Sequence, residues 1–340
     1  MFYKLMQRLL LKLDAEKAHH LGLNGLNLLE MSGLASLLYP NAHASPVNVM
    51  GLTFPNAVGL AAGLDKNGDY IEALAALGFG FVEVGTVTPR PQDGNPKPRL
   101  FRIPEAEAII NRMGFNNLGV DHLVEQVKIA RTGALLGVNI GKNFDTPVEK
   151  AVDDYLIGLE KVYSHADYVA INISSPNTPG LRTLQFGESL NQLLGSLKQR
   201  QTKLQQQYNH YVPMAVKVAP DLELHEVEEL AHAFSQHEID AVITTNTTMS
   251  RHGVENLPFG DEAGGLSGRP VFDKSTEIVR QFKQALPENL PIIAAGGIMS
   301  GDNAAEKLDA GASLVQIYSG LIYQGPKLVT DILKTLENRT

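Results

Sequence analysis

Five asparagines and two lysines are placed where they could converge on one small molecule: Asn111, Asn139, Asn172, Asn177, Asn246, Lys66 and Lys217. An amide offers two donors and an acceptor. Several together can read the edge of a planar heterocycle rich in N–H and C=O groups. A lysine supplies a point charge for an anion. Taken singly, each asparagine reads as a turn or capping residue. Position changes that reading. Asn139, Asn172 and Asn246 end the third, fourth and sixth of eight short apolar runs. Lys66 follows the first run, Lys217 sits inside the fifth, and Asn111 and Asn177 lie in two long insertions. The last two runs end in glycine-bearing turns, AAGGIM (294–299) and QIYSG (316–320).

The elements that must position these groups are strands. The runs fall at 57–63, 81–88, 135–141, 168–174, 214–219, 241–247, 291–296 and 313–319. Most are β-branched and nearly continuous in apolar residues, as buried parallel strands are. Helical patterns intervene, for example at 71–78 and 225–236. Eight strand–helix units predict an α/β protein with a (β/α)8 TIM barrel, whose site lies where the strands end. Gly-rich turns after strands seven and eight are suited to a phosphate, held on backbone N–H groups and a helix N-terminus. The insertions 89–117 and 175–188 follow strand C-termini and should cover the same face.

Composition narrows the chemistry. The chain has 340 residues, 44% hydrophobic and 19% charged, with net charge −8. A barrel of this length forms one domain. There is no basic field for nucleic acid. With no cysteine, disulfides, thiolate metal sites and cysteine nucleophiles are excluded. No histidine sits at a strand end and no HExxH occurs, so no metal site is expected. No carboxylate pair suggests glycoside hydrolysis. Lys217 fits a Schiff-base aldolase lysine, but the amide array fits flavin mononucleotide (FMN) better. Its phosphate would sit on strands seven and eight and its ring over the barrel mouth, with Lys217 beside the reduced ring. A third reading is a non-catalytic peripheral membrane protein on a degenerate barrel.

The stretches AAGLDKNG (61–68), EVGTVTPRPQDGNPKPRLFR (83–102), INRMGFNN (110–117), GVNIGKN (137–143), INISSPNTPGLR (171–182), VKVAPD (216–221), TTNTT (244–248), GGLSGRP (264–270), AAGGI (294–298) and QIYSG (316–320) together resemble the dihydroorotate dehydrogenases. The resemblance is to the membrane-associated, quinone-reducing class 2 enzymes and covers essentially the whole chain. It implies oxidation of (S)-dihydroorotate to orotate in pyrimidine biosynthesis, with hydride passed to FMN and reoxidation by a membrane quinone. It makes Ser175 the base, where class 1 relatives use a cysteine that this chain lacks. A serine is a weak base and needs a relay or a dry, oriented site. Without the resemblance, Ser175 before Pro176 reads as an ordinary loop hydroxyl. Implied substrate contacts are Lys66, Asn111, Met113, Gly114, Phe115, Asn172, Asn177, Asn246 and Thr247. Implied FMN contacts are Ala62, Gly63, Lys66, Thr86, Asn139, Asn172, Lys217, Thr245, Gly268, Gly297, Tyr318 and Ser319. Segment 175–188, with Pro176, Pro179 and Gly180, would be a lid that excludes water.

Residues 1–45 stand apart from the barrel domain at 46–340. Phe2, Leu5, Met6, Leu9, Leu10 and Leu13 make one helical apolar face, while Lys4, Arg8 and Lys12 make a basic stripe. Asp14 can cap a second helix. The pattern suits an anionic membrane surface, and equally a helix packed on the barrel with a solvated basic edge. The resemblance makes this extension a quinone tunnel, with His19, Arg102 and Tyr318 along it. It is not a cleavable signal peptide. The lack of a transit peptide and a spanning segment leads us to expect a bacterial protein, peripheral on the cytoplasmic face of the inner membrane, with no obligate protein partner.

Overall fold

The computed structural model describes residues 10–34 and 45–339. The apolar face at Phe2, Leu5, Met6 and Leu9, and the basic Lys4 and Arg8, lie outside the described residues.

Helix α1 (Ala15–Met31) begins at Asp14, whose side chain accepts a hydrogen bond from the Lys17 backbone N–H at 3.0 Å, the cap expected there. An antiparallel hairpin follows, β1 (Val47–Val49) and β2 (Leu52–Phe54), turning through Met50 and Gly51, both at positive φ. The chain then enters the barrel: β3 (Val58–Leu60), α2 (Ile71–Ala75), β4 (Phe81–Val87). An excursion carries β5 (Leu100–Ile103) and β6 (Ala108–Asn111) before α3 (Val120–Ile129). Next come β7 (Leu135–Ile140), α4 (Ala151–Val162), β8 (Tyr168–Asn172), α5 (Gly187–Tyr208), β9 (Met214–Val218), α6 (Leu224–Gln236) and β10 (Ala241–Thr244). A second excursion contains β11 (Gly265–Gly268). The order ends α7 (Phe272–Ala285), β12 (Ile292–Ala295), α8 (Gly301–Asp309), β13 (Leu314–Ile317), α9 (Ser319–Gln324) and α10 (Lys327–Glu337).

Strands β3, β4, β7, β8, β9, β10, β12 and β13 close a parallel barrel, each inside one of the eight apolar runs. Side chains alternate along a strand, and β4 shows the consequence. Phe81 and Glu83 point into the barrel; Val82 and Val84 pack outward against the helices. The barrel floor is apolar. Phe54 from the hairpin meets Phe81 edge-on at 5.1 Å, with Ile243 and Ile293 beside them. Gly59 and Gly137 leave room for the Phe81 and Tyr168 rings respectively; a Cβ at either would collide with them.

The two excursions form one structure. β5, β6 and β11 make a three-stranded antiparallel sheet over the rim, with Gly265 opposite Asn111. Patterning reveals the first insertion but not the segment after β10, whose GLSG strand has too little apolar content to signal itself.

Candidate active site

One cleft opens at the C-terminal end of the barrel. The substrate residues expected from the resemblance line it: Lys66, Asn111, Met113, Gly114, Phe115, Asn172, Asn177, Asn246 and Thr247. So do Ser175 and the flavin residues Ala62, Gly63, Thr86, Lys217, Thr245, Gly268, Gly297, Tyr318 and Ser319. Asn139 is the exception among the amides. It is fully buried one layer below the cleft and meets it only through Thr86, whose hydroxyl donates to Asn139 Oδ1 at 2.6 Å.

The amides form a connected chain rather than a loose ring. Asn246 Nδ2 donates to Asn172 Oδ1 (3.2 Å) and Ser174 Oγ (2.9 Å). Asn172 Nδ2 donates to Thr86 Oγ1 (2.9 Å). Below, Asn139 Nδ2 donates to Glu83 Oε1 (2.8 Å). Tyr168 Oη and Gln316 Nε2 each donate to Glu83 Oε2 at 2.8 Å. Connected networks of this kind hold side chains in one geometry, and of these side chains only the buried Gln316 Oε1 is left without a partner among the described residues. Glu83 is the root of this one, a fully buried carboxylate. The sequence reading missed it; its only signal was a charged residue inside an otherwise apolar strand.

Lys217 stands in the same polar layer. It is 5% exposed, and its ammonium makes no hydrogen bond among the described residues; the nearest carboxylate oxygen, Glu83 Oε1, is 3.9 Å away. Burial lowers its pKa and the Glu83 charge opposes that fall. Buried and aimed into the cleft, this ammonium fits a ligand that carries or develops negative charge.

Two turns supply the opposite kind of group, backbone donors. The N–H groups of Gly296, Gly297 and Ile298 and of Ser319 and Gly320 donate to no protein acceptor among the described residues. Gly297 has φ +74° and packs so closely on Phe272 that a Cβ would lie 2.5 Å from its Cα. Only glycine lets the turn approach both Phe272 and a ligand. Free N–H groups clustered in this way suit a phosphate.

Ser175 is 5% exposed and its Oγ accepts from the Asn177 backbone N–H at 3.2 Å. Asn177 Nδ2 donates to the Asn111 carbonyl at 3.1 Å, joining the lid to the rim sheet. Arg182 fastens segment 175–188. Its guanidinium donates to Ser174 O, Thr247 O and Asp221 Oδ2, each at 3.0 Å, and so ties the loops after β8, β9 and β10 together.

A second cavity lies between α1 and the barrel, lined by His19, Tyr70, Arg99 and Leu118 among others. Lys66, Met113 and Tyr318 line both cavities and form the wall between them. Burial, helped by Lys66 and His20, pulls His19 down to about 3, so its imidazole is neutral at physiological pH. Burial and the Arg99 charge pull Lys66 down to about 8; its Nζ donates to Gly63 O at 2.8 Å. Burial raises Tyr318 to about 12. Arg102 does not line this cavity. Its guanidinium caps the carbonyls of Leu10, Leu11 and Leu13. Helix α1 is held by a buried ion pair, Arg99 Nη2 to Glu16 Oε1 at 2.7 Å, and by Tyr70 Oη donating to Asn24 Oδ1 at 2.7 Å. Leu21, Leu28 and Met31 face outward from it, exposed.

A closed barrel with free backbone donors at its last two strands, a buried ammonium and a chain of amides is a binding barrel for a phosphorylated ligand and a polar planar ring. The chain belongs to the dihydroorotate dehydrogenase family, whose model matches residues 45–340. It is 59% identical over 339 residues to a protein of Dechloromonas aromatica named dihydroorotate dehydrogenase (quinone), covering 99% of this chain and 98% of that one. It is 62% identical over 329 residues to a protein of the same name from Pseudomonas savastanoi pv. phaseolicola, covering 97% and 96%. Among solved structures it resembles the DHODH of Eimeria tenella in complex with ferulenol, with TM-score 0.86 and 38% identity over 95% of this chain and 91% of that one.

Proposed function

We propose that this protein is a class 2 dihydroorotate dehydrogenase, oxidising dihydroorotate to orotate in pyrimidine biosynthesis and passing the electrons to a membrane quinone. The observation that carries the reading is one cleft in which Ser175, the amide chain, Lys66 and Lys217 converge beside free backbone donors. The cofactor is FMN. Its phosphate fits the N–H groups of the 296–298 and 319–320 turns, and its ring fits beside Lys217, Thr86 and Asn172. When bound, FMN supplies the hydride acceptor.

The chain's own residues do the rest. Ser175 Oγ removes the proton from the ring carbon next to the one that gives up hydride. Lys66 holds the substrate carboxylate. Asn111, Asn172, Asn177 and Asn246 fix the amide edges of the ring, so the two carbon–hydrogen bonds face base and acceptor together. The lid residues 175–188 keep water out. Lys217 stabilises negative charge that develops on the cofactor ring.

Residues 1–45 form the quinone-access segment and 46–340 the catalytic barrel. His19 and Tyr318 line the α1 cavity, while Arg102 holds the carbonyls of Leu10, Leu11 and Leu13 at the base of this segment. Electrons leave through the wall shared by the two cavities. An anionic, peripheral membrane surface, on the cytoplasmic face of a bacterial inner membrane, would receive the exposed face of α1. No helix among the described residues is long and apolar enough to cross a membrane.

The test is anaerobic. Dihydroorotate added to the purified yellow protein should bleach the flavin, and a quinone should restore the colour. Purified protein that binds FMN but is not bleached by dihydroorotate would remove the assignment. Borohydride trapping of a carbonyl substrate on Lys217 would favour an aldolase instead.

A further inference from the structure

Lys307 is completely buried in α8, yet nothing in the reaction above uses it. Its ammonium donates to Ser275 Oγ at 2.6 Å and to Phe272 O at 3.3 Å, and lies 4.9 Å from the Phe272 ring centroid. No carboxylate pairs with it among the described residues. Ser275 Oγ has one proton and two carbonyls within reach, Phe272 O at 3.0 Å and Gly296 O at 3.1 Å. Phe272 is the residue on which Gly297 packs. The ammonium therefore stands directly behind the 296–298 turn, on the side away from the cleft. A buried cation without a counter-charge is costly, and a nearby anion relieves that cost.

We propose that Lys307 is the counter-charge of the cofactor phosphate, acting from behind the glycine turn through Ser275 and the Gly296 carbonyl. The proposal rests on FMN being the cofactor. With Lys307 donating to both Ser275 and Phe272 O, the Ser275 proton goes to the Gly296 carbonyl and holds that oxygen away from the anion, while the ammonium field reaches through the turn to it. The reverse influence also holds: a bound phosphate must hold a proton on Lys307.

That linkage has a sign. Burial, with Arg280 adding to it, pulls Lys307 down to about 7 in the free protein; Glu306 and Asp273 oppose the fall. Among the other packed elements, α10 presents Thr335 to Gly301 and pairs its Asp331 with Lys327. Strand β13 brings only Leu314, Val315, Gln316 and Ile317. Phosphate binding should therefore be accompanied by proton uptake above neutrality, and FMN affinity should fall as pH rises through about 7.

Riboflavin, which has the ring but no phosphate, separates this effect from Lys66 and Lys217, which face the ring. The full-length chain is freed of flavin, and the affinities of FMN and riboflavin are measured by fluorescence quenching across pH, with calorimetry in buffers of different ionisation enthalpy. In wild type, as pH rises above about 7, where the FMN phosphate is already the dianion, FMN should lose affinity relative to riboflavin and take up protons. In Lys307→Met, FMN should bind about tenfold more weakly with riboflavin unchanged, and the extra proton uptake should vanish. Lys307→Arg should retain most FMN affinity without the pH dependence. Equal losses for both flavins would reduce Lys307 to a packing residue and overturn the proposal, as would an unchanged FMN affinity. Should neither variant fold, a wild-type FMN-to-riboflavin ratio that stays flat with pH overturns it as well. Failure of wild type to bind either flavin would sink the FMN reading and the proposal with it. FMN binding with no difference between wild type and variant sinks the proposal alone.

Discussion

Ser175 is an ordinary hydroxyl made useful by its surroundings. It is nearly buried, receives a backbone N–H from Asn177, and sits on a segment tied down by Arg182. Ser175→Ala should keep its flavin, because the side chain holds no part of it. It should lose about a hundred- to ten-thousand-fold in the rate of flavin reduction by dihydroorotate; rapid mixing measures this, and a wild-type rate would remove the assignment. Lys66 gives a pH prediction. With its pKa lowered to about 8, it is a cation below that pH and loses its proton above it. Affinity for the substrate carboxylate should therefore fall as pH rises through about 8, seen as a rise in the KM for dihydroorotate. Lys66→Met should have a high KM at every pH.

At the scale of elements, two attachments decide function. The first is the lid. Arg182→Gln removes donors to three loops at once, so turnover should drop at least tenfold while flavin stays bound. Limited proteolysis should cut 175–188 faster in the variant; unchanged kinetics and cleavage would show that the latch is idle. The second is α1. Burial pushes Glu16 up, but the hydrogen bond and charge of Arg99, with Lys97, outweigh it and hold the carboxyl below the usual range. A carboxyl lowered on folding contributes stability above its unfolded pKa and loses it as pH falls through the folded value. Acid should thus loosen α1 before the barrel. Glu16→Ala leaves the Arg99 guanidinium buried without its counter-charge, with only the Asp93 and Asn95 carbonyls to hold it, a loss of about 3 kcal/mol or more. Hydrogen exchange should show it in α1.

At the scale of the molecule, two cavities share one wall, Lys66, Met113 and Tyr318. Deleting residues 1–45 should spare flavin reduction by dihydroorotate and abolish fast turnover with a long-chain quinone. Folding must be checked first, because the deletion uncovers the surface under α1. A milder version replaces Leu28 and Met31, both exposed, with glutamate. Binding to anionic vesicles should fall and the first half-reaction should not. A folded truncation that still reduces lipid-embedded quinone at full rate would make the extension merely structural.

The barrel itself is legible in the sequence, because parallel strands buried on both faces must be apolar and eight such runs have few other ways to pack. The residues at the strand ends follow from that frame, and the cleft gathers nearly all of them. Asn139 falls one layer short, since a one-residue step along a strand changes depth as well as face, and sequence cannot say where the floor of a ligand site lies. Glu83, Lys307 and the Arg182 latch became readable only in three dimensions. Each acts on partners that are remote in sequence, from Asn139 and Gln316 to Phe272 and Thr247. The same holds for the division of labour around α1. The sequence marks its Asp14 cap, but only packing decides which face meets the barrel and which, with Leu21, Leu28 and Met31, is left outward. Composition and period thus determine which elements form, while the burial of polar groups, settled by distant partners, determines what the site can do.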